Sequence, residues 1–384
     1  MSSECVLGEI DALCNVEYGT RVVQKKDGGT IYPVYGGGGA TFAMDSYNRE
    51  NRLVIARFAM SKQCTRFVSG KFFLNDSGLT ISPKDKTKID QNFLDYYCLA
   101  MNDLFYSISR GTAQKNLDVP IFRKIKINIP RDIKLQQNIV KKLDVIFAEI
   151  DKAVAATEAN IKNAEALFYS LLNSEIDGNR NGWESSSLKD VCTFINRGIS
   201  PSYIEKSGVL VLNQKCIRNH KIDFSLGRRH DDIKKNIKEE KLLNYGDVLV
   251  NSTGTGTLGR VAQVIEHMKE KVSVDSHVTI VRPDSKLFFL EFFGFMMIQI
   301  EEDIKKAGEG SVGQTELSRS ALAEKFKVAF PKNINLQESI YKKLLLAKEN
   351  TIKLKLLMVN KLTKLQALRG SVLQQAFNGE LIKQ

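Results

Sequence analysis

The feature that most constrains this 384-residue chain is that its second half repeats its first. At an offset close to 201 residues, Pro130-Arg-Asp-Ile-Lys-Leu135-Gln136 matches Pro331-Lys-Asn-Ile-Asn-Leu336-Gln337, and Lys141-Lys142-Leu143 matches Lys342-Lys343-Leu344. The register then holds without a gap, so that Ala166, Ser170, Leu172 and Gly178 fall on Ala367, Ser371, Leu373 and Gly379. A long ungapped match means that a rigid element was duplicated, because loops drift in length. Upstream the match loosens but persists: Asp76 to Ile81 resembles Asp275 to Ile280, Phe93 to Tyr97 resembles Phe289 to Phe293, and Gly111 to Leu117 resembles Ser311 to Leu317.

The ungapped segments carry apolar residues at helical spacing: Leu135, Ile139, Leu143, Ile146, Ile150, Val154, Ile161, Ala164, Leu167 and Leu171. Pro130 and Pro331 stand ahead of them and Gly178 and Gly379 just beyond, as start and stop signals should. Each helix is expected to run about 40 residues, roughly 60 Å at 1.5 Å per residue. A helix of that length has no small domain large enough to cover its stripe, so the two are expected to pack on each other, antiparallel, with a globular domain at either end. The predicted fold is α+β: two mixed α/β domains (1–133 and 179–334) separated by two long antiparallel coiled-coil helices (134–178 and 335–384), with pseudo-twofold internal symmetry. Within the domains, strands are expected at Ile31 to Tyr35, Arg52 to Phe58, Leu79 to Ser82, Val209 to Asn213, Asp247 to Asn251 and Val278 to Val281. A helix is expected in each, over Asn92 to Ser107 and Lys286 to Ile304.

Lys and Arg outnumber Asp and Glu by 56 to 44, a net charge of +12 that favours a polyanionic partner. The longest apolar run, Leu287 to Ile300, is broken by Glu291 and is too short to span a bilayer, so no membrane role is expected. The N-terminus carries acids where a secretion signal needs bases, which points to a cytoplasmic protein. Six scattered cysteines without a CxxC pair read as buried free thiols rather than a disulfide framework or a zinc ribbon.

Several motifs compete for a chemical role. Gly254-Thr-Gly256-Thr-Leu-Gly259 follows the expected strand Val248 to Asn251, with Asp275 some way beyond, and has the form of a dinucleotide-binding fingerprint. Against it, Arg260 to Ile265 reads as β rather than helix, and Asp275 aligns with Asp76 of a half that lacks the glycines. The other reading is a hairpin loop whose amides approach phosphates. Gly36 to Gly39 lacks the Gly-Lys-Ser/Thr of a nucleotide loop and reads as a turn. Cys216 and His220 have metal-ligand spacing but no second pair, and His230-Asp231-Asp232 reads as a solvated charge cluster. No Ser-His-Asp or Cys-His arrangement stands out. Basic clusters occur at Arg57, Lys62 and Arg66, and at Lys215, Arg218, Asn219, Lys221, Arg228 and Arg229; Arg and Asn suit guanine and adenine edges, although a solvated basic face has the same composition.

The stretch Gly246 to Val261, the segment Ser276 to Pro283, the Gln114 and Gln314 loops, and above all Leu365 to Leu381 are similar to features of the specificity subunit of Type I restriction-modification systems. The resemblance spans the chain. The first-half copy of the last stretch, Ala164 to Gly178, lacks its Arg and its Gly-Glu-Leu. The resemblance implies a noncatalytic chain whose two domains each read half of a split double-stranded DNA target. DNA contacts are expected from the basic clusters above and from Gln114, Lys115, Thr255, Thr257, Arg260 and Gln314. It also implies two methyltransferase subunits on the helices, near Leu167, Leu171, Leu368, Arg369 and Phe377, and two restriction/translocase subunits. S-adenosylmethionine, ATP and Mg would reside on those partners, with no cofactor or metal on this chain. The absence of an Asn/Asp-Pro-Pro-Tyr/Phe motif and of a Walker loop agrees with this. Two other functions fit parts of the sequence: an oxidoreductase using the Gly254 to Gly259 loop, and a duplicated coiled-coil scaffold that binds only proteins.

Overall fold

A computed structural model describes residues 5–308 and 316–377. Two helices dominate it, Ile133–Glu175 and Ile334–Phe377. Each begins at a side-chain cap: Asp132 Oδ1 accepts from Lys134 N at 2.8 Å, and Asn333 Oδ1 from Asn335 N at 2.9 Å. The chain divides into two compact units, and each takes part of both helices: residues 1–158 with 359–384, and residues 159–358.

Along the first helix the inward positions fall alternately three and four apart, as at Gln136, Val140, Leu143, Phe147 and Ile150, which is the seam of a coiled coil. The expected stripe shares Leu143, Ile150, Val154, Ile161 and Ala164 with this phase, while Leu135, Ile139 and Ile146 lie one position off it. Leu167 is exposed and Phe168 turns inward instead, because the heptad phase places it there; Leu172, one position past that phase, is buried as well. Ion pairs mark antiparallel pairing within each unit: Asp151 with Arg369 in the first, and Glu165 with Lys355 and Glu175 with Lys343 in the second.

In unit 1 a six-stranded sheet runs Cys14–Tyr18, Gly78–Pro83, Arg49–Ala56, Thr65–Leu74, Tyr32–Tyr35, Ala40–Met44. Its neighbours are antiparallel except for the parallel pair of Tyr32–Tyr35 with Thr65–Leu74. Unit 2 repeats the first three places with Cys192–Arg197, Val278–Pro283 and Val248–Asn251, adds Val261–Gln263, and builds a second four-stranded sheet around the parallel pair Val209–Leu212 and Val272–Val274. Each domain closes with the same ribbon: Cys5–Glu9 pairs with Lys126–Pro130, and Trp183–Ser187 with Lys327–Pro331. The strand Thr65–Leu74 lacked a signal in the sequence because Arg66, Phe67, Ser69 and Gly70 interrupt its alternation, and Gly70 takes a φ of 75°.

The domain helices are shorter than their sequences predict. The first breaks at Met101 into Gln91–Ala100 and Asn102–Ser107, and the second at Ile300 into Leu290–Gln299 and Glu301–Gly308. Lys286 to Phe289, expected to be helical, is held outside the helix by the start of the long helix that follows. Gln337, wholly buried, accepts from Phe289 N at 2.9 Å and donates to Leu287 O at 3.0 Å and Pro331 O at 2.8 Å. Gln136 makes the same clamp in unit 1, accepting from Asp90 N at 2.8 Å and donating to Lys88 O at 2.8 Å and Pro130 O at 2.7 Å. The repeated Leu-Gln of the sequence is thus the joint between each domain and its helix. Fully buried phenylalanines fill the core beside it, Phe93, Phe105 and Phe122 in unit 1 and Phe292 and Phe293 in unit 2, each contributing about 1.5–3 kcal/mol by its burial.

Of the six free cysteines, Cys14, Cys64, Cys98 and Cys216 are buried as expected, whereas Cys5 and Cys192 are only partly so. Among the described residues no helix is long and apolar enough to cross a membrane.

Candidate nucleic-acid interface

In unit 1 the fold draws the glycine turn, the basic cluster and the Gln114 loop to one place. Met60 N donates to Lys115 O at 2.8 Å and Leu117 N to Arg57 O at 2.9 Å, sewing the loop to the end of strand Arg49–Ala56. Gly37 lies against Phe58 O, and Arg66 donates to Gly38 O. Arg57 is held between Tyr18 and Phe58, 4.8 and 4.5 Å from their ring centroids, and donates to Asp76 O. Arg57 and Arg66 therefore shape the cluster, while Lys62 and Gln114 point to solvent and Lys115 is half-exposed. Ala59 sits among them at φ 49°, a left-handed conformation that costs a non-glycine residue about 1 kcal/mol or more.

In unit 2 the residues Gln214 to Lys221 meet the glycine loop. Thr257 Oγ1 donates to Gln214 Oε1 at 3.1 Å, Gln214 Nε2 to Thr253 Oγ1 at 2.7 Å, and Asn251 Nδ2 to Gln214 O at 3.2 Å. Thr253 Oγ1 also lies 2.9 Å from His277 Nδ1. Thr257 is spent on this closure and Arg260 on Gly256 O, at 2.8 Å, whereas Thr255 stays exposed at the tip. The dinucleotide reading fails on topology. Strand Val248–Asn251 leads through the loop into the antiparallel strand Val261–Gln263, so the loop does not open a helix whose N-terminus would receive a pyrophosphate.

Nearby, Asn219 and His220 form the two-residue turn of a hairpin between Ile217–Arg218 and Lys221–Ile222, both at positive φ, 52° and 55°. Lys215, Arg218, Asn219 and Lys221 are exposed. Arg228 stacks on Tyr203 at 3.7 Å, and Arg229 is committed to Glu270 at 3.0 Å and Gly208 O at 3.1 Å. His230, expected in a solvated cluster, is buried instead, its ring nitrogens 2.8 Å from Ser202 N and Lys235 O. Cys216 and His220 do not form a metal pair: Cys216 is buried against Asn213, and His220 faces Glu301. Among the described residues no group of three or more His, Cys, Asp and Glu could hold a metal. Gln314 lies outside the described residues. Gln214, Thr253 and His277 were not singled out as site residues in the sequence, because tertiary pairing alone brings them together.

Of the helix candidates, Leu167 and Leu368 are exposed and Leu171 is half-buried. Arg369 lies 4.5 Å over Phe147 and 2.6 Å from Asp151, and Phe377 packs edge-on against Phe93 and Tyr97. Both serve unit 1's own packing. Leu346, Leu356, Leu357 and Val359 are exposed on the second long helix and were not singled out in the sequence.

Two solved structures share this fold. A chain solved for the complex assembly and conformational transition of the type I R-M system aligns over 99% of both chains, with a TM-score of 0.73 and 15% identity. The HsdS subunit from Thermoanaerobacter tengcongensis aligns over 99% of this chain and 98% of its own, with a TM-score of 0.53 and 16% identity. The model of the Type I restriction modification DNA specificity domain matches twice, at residues 4–163 and 180–359, once in each copy of the duplication. The chain therefore belongs to the Type I restriction-modification specificity-subunit family, the noncatalytic DNA-recognition component of those systems.

Proposed function

We propose that this chain reads a bipartite, gapped DNA target, one half-site per domain, and positions two adenine methyltransferase subunits and two restriction/translocase subunits on it in the cytoplasm. The observation that carries this reading is the duplicated joint. Two domains with different loop surfaces are fixed to helices of nearly equal length by the same glutamine clamp. Different surfaces suit an asymmetric pair of half-sites, and a rigid spacer suits a fixed gap. Lys62, Gln114 and Lys115 in the first domain, and Lys215, Arg218, Asn219, Lys221, Arg228 and Thr255 in the second, contact the DNA; Arg57, Arg66, Arg229, Thr257 and Arg260 shape the surfaces that do. The exposed apolar residues of the helices receive the methyltransferase subunits, since solvated leucines in such number mark a contact surface. S-adenosylmethionine, ATP and Mg act on those partners.

Removing one heptad from both helices keeps the seam in phase and shortens the spacer by about 10 Å. The expected outcome is a change of a few base pairs in the required gap, with both half-site sequences unchanged. Altered half-sites with an unchanged gap would refute the spacer role.

A further inference from the structure

Unit 2 contains a cavity of about 350 Å³ where the Asn219-His220 hairpin, the helix Glu301–Gly308 and both long helices meet. Five Lys and Arg side chains line it against two glutamates. The glutamates are already engaged. Glu301 is nearly buried, with His220 Nε2 at 2.8 Å and Lys305 Nζ at 2.6 Å, and Glu165 pairs with Lys355. Burial alone would push the Glu301 carboxyl up, but His220 and Lys305 outweigh it and hold the group below its usual range. Arg218, Arg260 and Lys348 are left without a carboxylate partner among the described residues.

The hairpin adds to the imbalance. It sets Arg218 directly across from Lys221, a like-charge pair, through a turn whose second residue is histidine rather than glycine. Lys348 is partly buried beside Phe295, and burial, with Lys221 nearby, lowers its ammonium below the usual lysine range. Unit 1 shows what is missing. At the positions matching Lys348, Ile352 and Phe168 it carries Phe147, Asp151 and Arg369, where the aspartate pairs with the arginine at 2.6 Å. Unit 2 keeps a cation at this junction and puts Ile352 where the counter-ion stood.

We infer that the cavity binds a phosphate group, with Arg218, Arg260 and Lys348 as its donors. One carboxylate brings a single charge to three unpaired cations, whereas phosphate brings more oxygens and up to two charges, and guanidinium forks match its geometry. The phosphate comes from a soluble phosphate ester or from the DNA backbone; only the second source rests on the DNA-reading role.

The test uses the full-length chain and two substitutions borrowed from the first repeat, Lys348→Phe and Ile352→Asp, with Arg218→Ala as a third. Melting is measured in inorganic phosphate against chloride at equal ionic strength, and duplex DNA affinity is measured across salt. A rise in melting temperature with phosphate for the parent chain, lost in all three variants while the salt slope of Lys348→Phe and Ile352→Asp is unchanged, assigns the site to a soluble ester. A salt slope reduced by about one per lost contact, at an unchanged target sequence, assigns it to the DNA backbone. No phosphate-dependent shift together with an unchanged slope overturns the inference. A parent chain that binds no DNA would contradict the DNA-reading role and leave the phosphate arm to decide on the pocket.

Discussion

The two units keep one contact and exchange another. Gln136 and Gln337 make the same three hydrogen bonds to equivalent backbone groups. Where the helices pair, the chemistry differs. Unit 1 uses Tyr96 with Asp144, bonded at 2.6 Å, and Arg369 over Phe147; at the matching positions unit 2 has Phe295 with Leu345, and Phe168 with Lys348. The tyrosine and aspartate have been replaced together by two apolar residues, so neither is left without its partner. The arginine and aspartate were also replaced together, by Phe168 and Ile352, but Phe147 became Lys348, so the cation moved to the facing side of the helix pair without a carboxylate, and a basic cavity lies there. The comparison separates what fixes a domain to its helix from what each unit does with the space beside it.

Breaking the shared joint should have the largest effect. Gln136→Ala and Gln337→Ala each strand an amide N–H and two carbonyls in the interior, at roughly 1–3 kcal/mol per group, so each is expected to cost about 3 kcal/mol or more in denaturant unfolding. Equal losses in the two units would confirm that the joint was duplicated as one device; a near-neutral variant would show that one copy is idle.

Next comes a group that only unit 1 has. Asp95 is 3% exposed, and burial raises its carboxyl to about 7, with Arg52 and Gln91 drawing it back. Its counterpart, the fifth residue of the equivalent helix, is Gly294. A raised folded-state value means that the folded chain holds the proton longer than the unfolded chain. This group's contribution is therefore full below the ordinary carboxylate range and is lost as pH rises toward about 7. Asp95→Asn is expected to stabilise the chain at pH 8 by about 2 kcal/mol and to change little at pH 4, as read from melting curves at the two pH values. An equal effect at both would rule out titration as the cause.

The smallest effect should come from remaking unit 1 in the image of unit 2. Tyr96→Phe or Asp144→Leu alone is expected to cost about 1 kcal/mol, and the double variant less than the sum of the two. Additive losses in that cycle would mean that the two residues do not act as a pair.

The sequence revealed the skeleton better than the surfaces, and the reasons are physical. The long helices were legible because periodicity and an ungapped repeat both survive wherever a seam must stay in register. Leu167 was misplaced because it and Phe168 are both apolar, and only the heptad phase decides which faces in. The ends of the domain helices were illegible because Gln337, almost fifty residues away, holds Leu287 and Phe289 outside the helix. The Gly254 to Gly259 loop looked like a cofactor cradle until the strand after it was seen pairing back on the strand before. Basic residues were easy to find and hard to sort. Arg218 and Arg229 look alike in the sequence, yet Glu270 claims only Arg229.

The most direct test of the central claim is a map of methyladenine in native DNA from cells with and without the gene for this chain. The account predicts that deletion removes methylation at one split motif with a fixed gap, and that substituting Arg228 alters only one half of it. Methylation that persists at every motif in the deletion strain, with the partner methyltransferase expressed, would contradict the account.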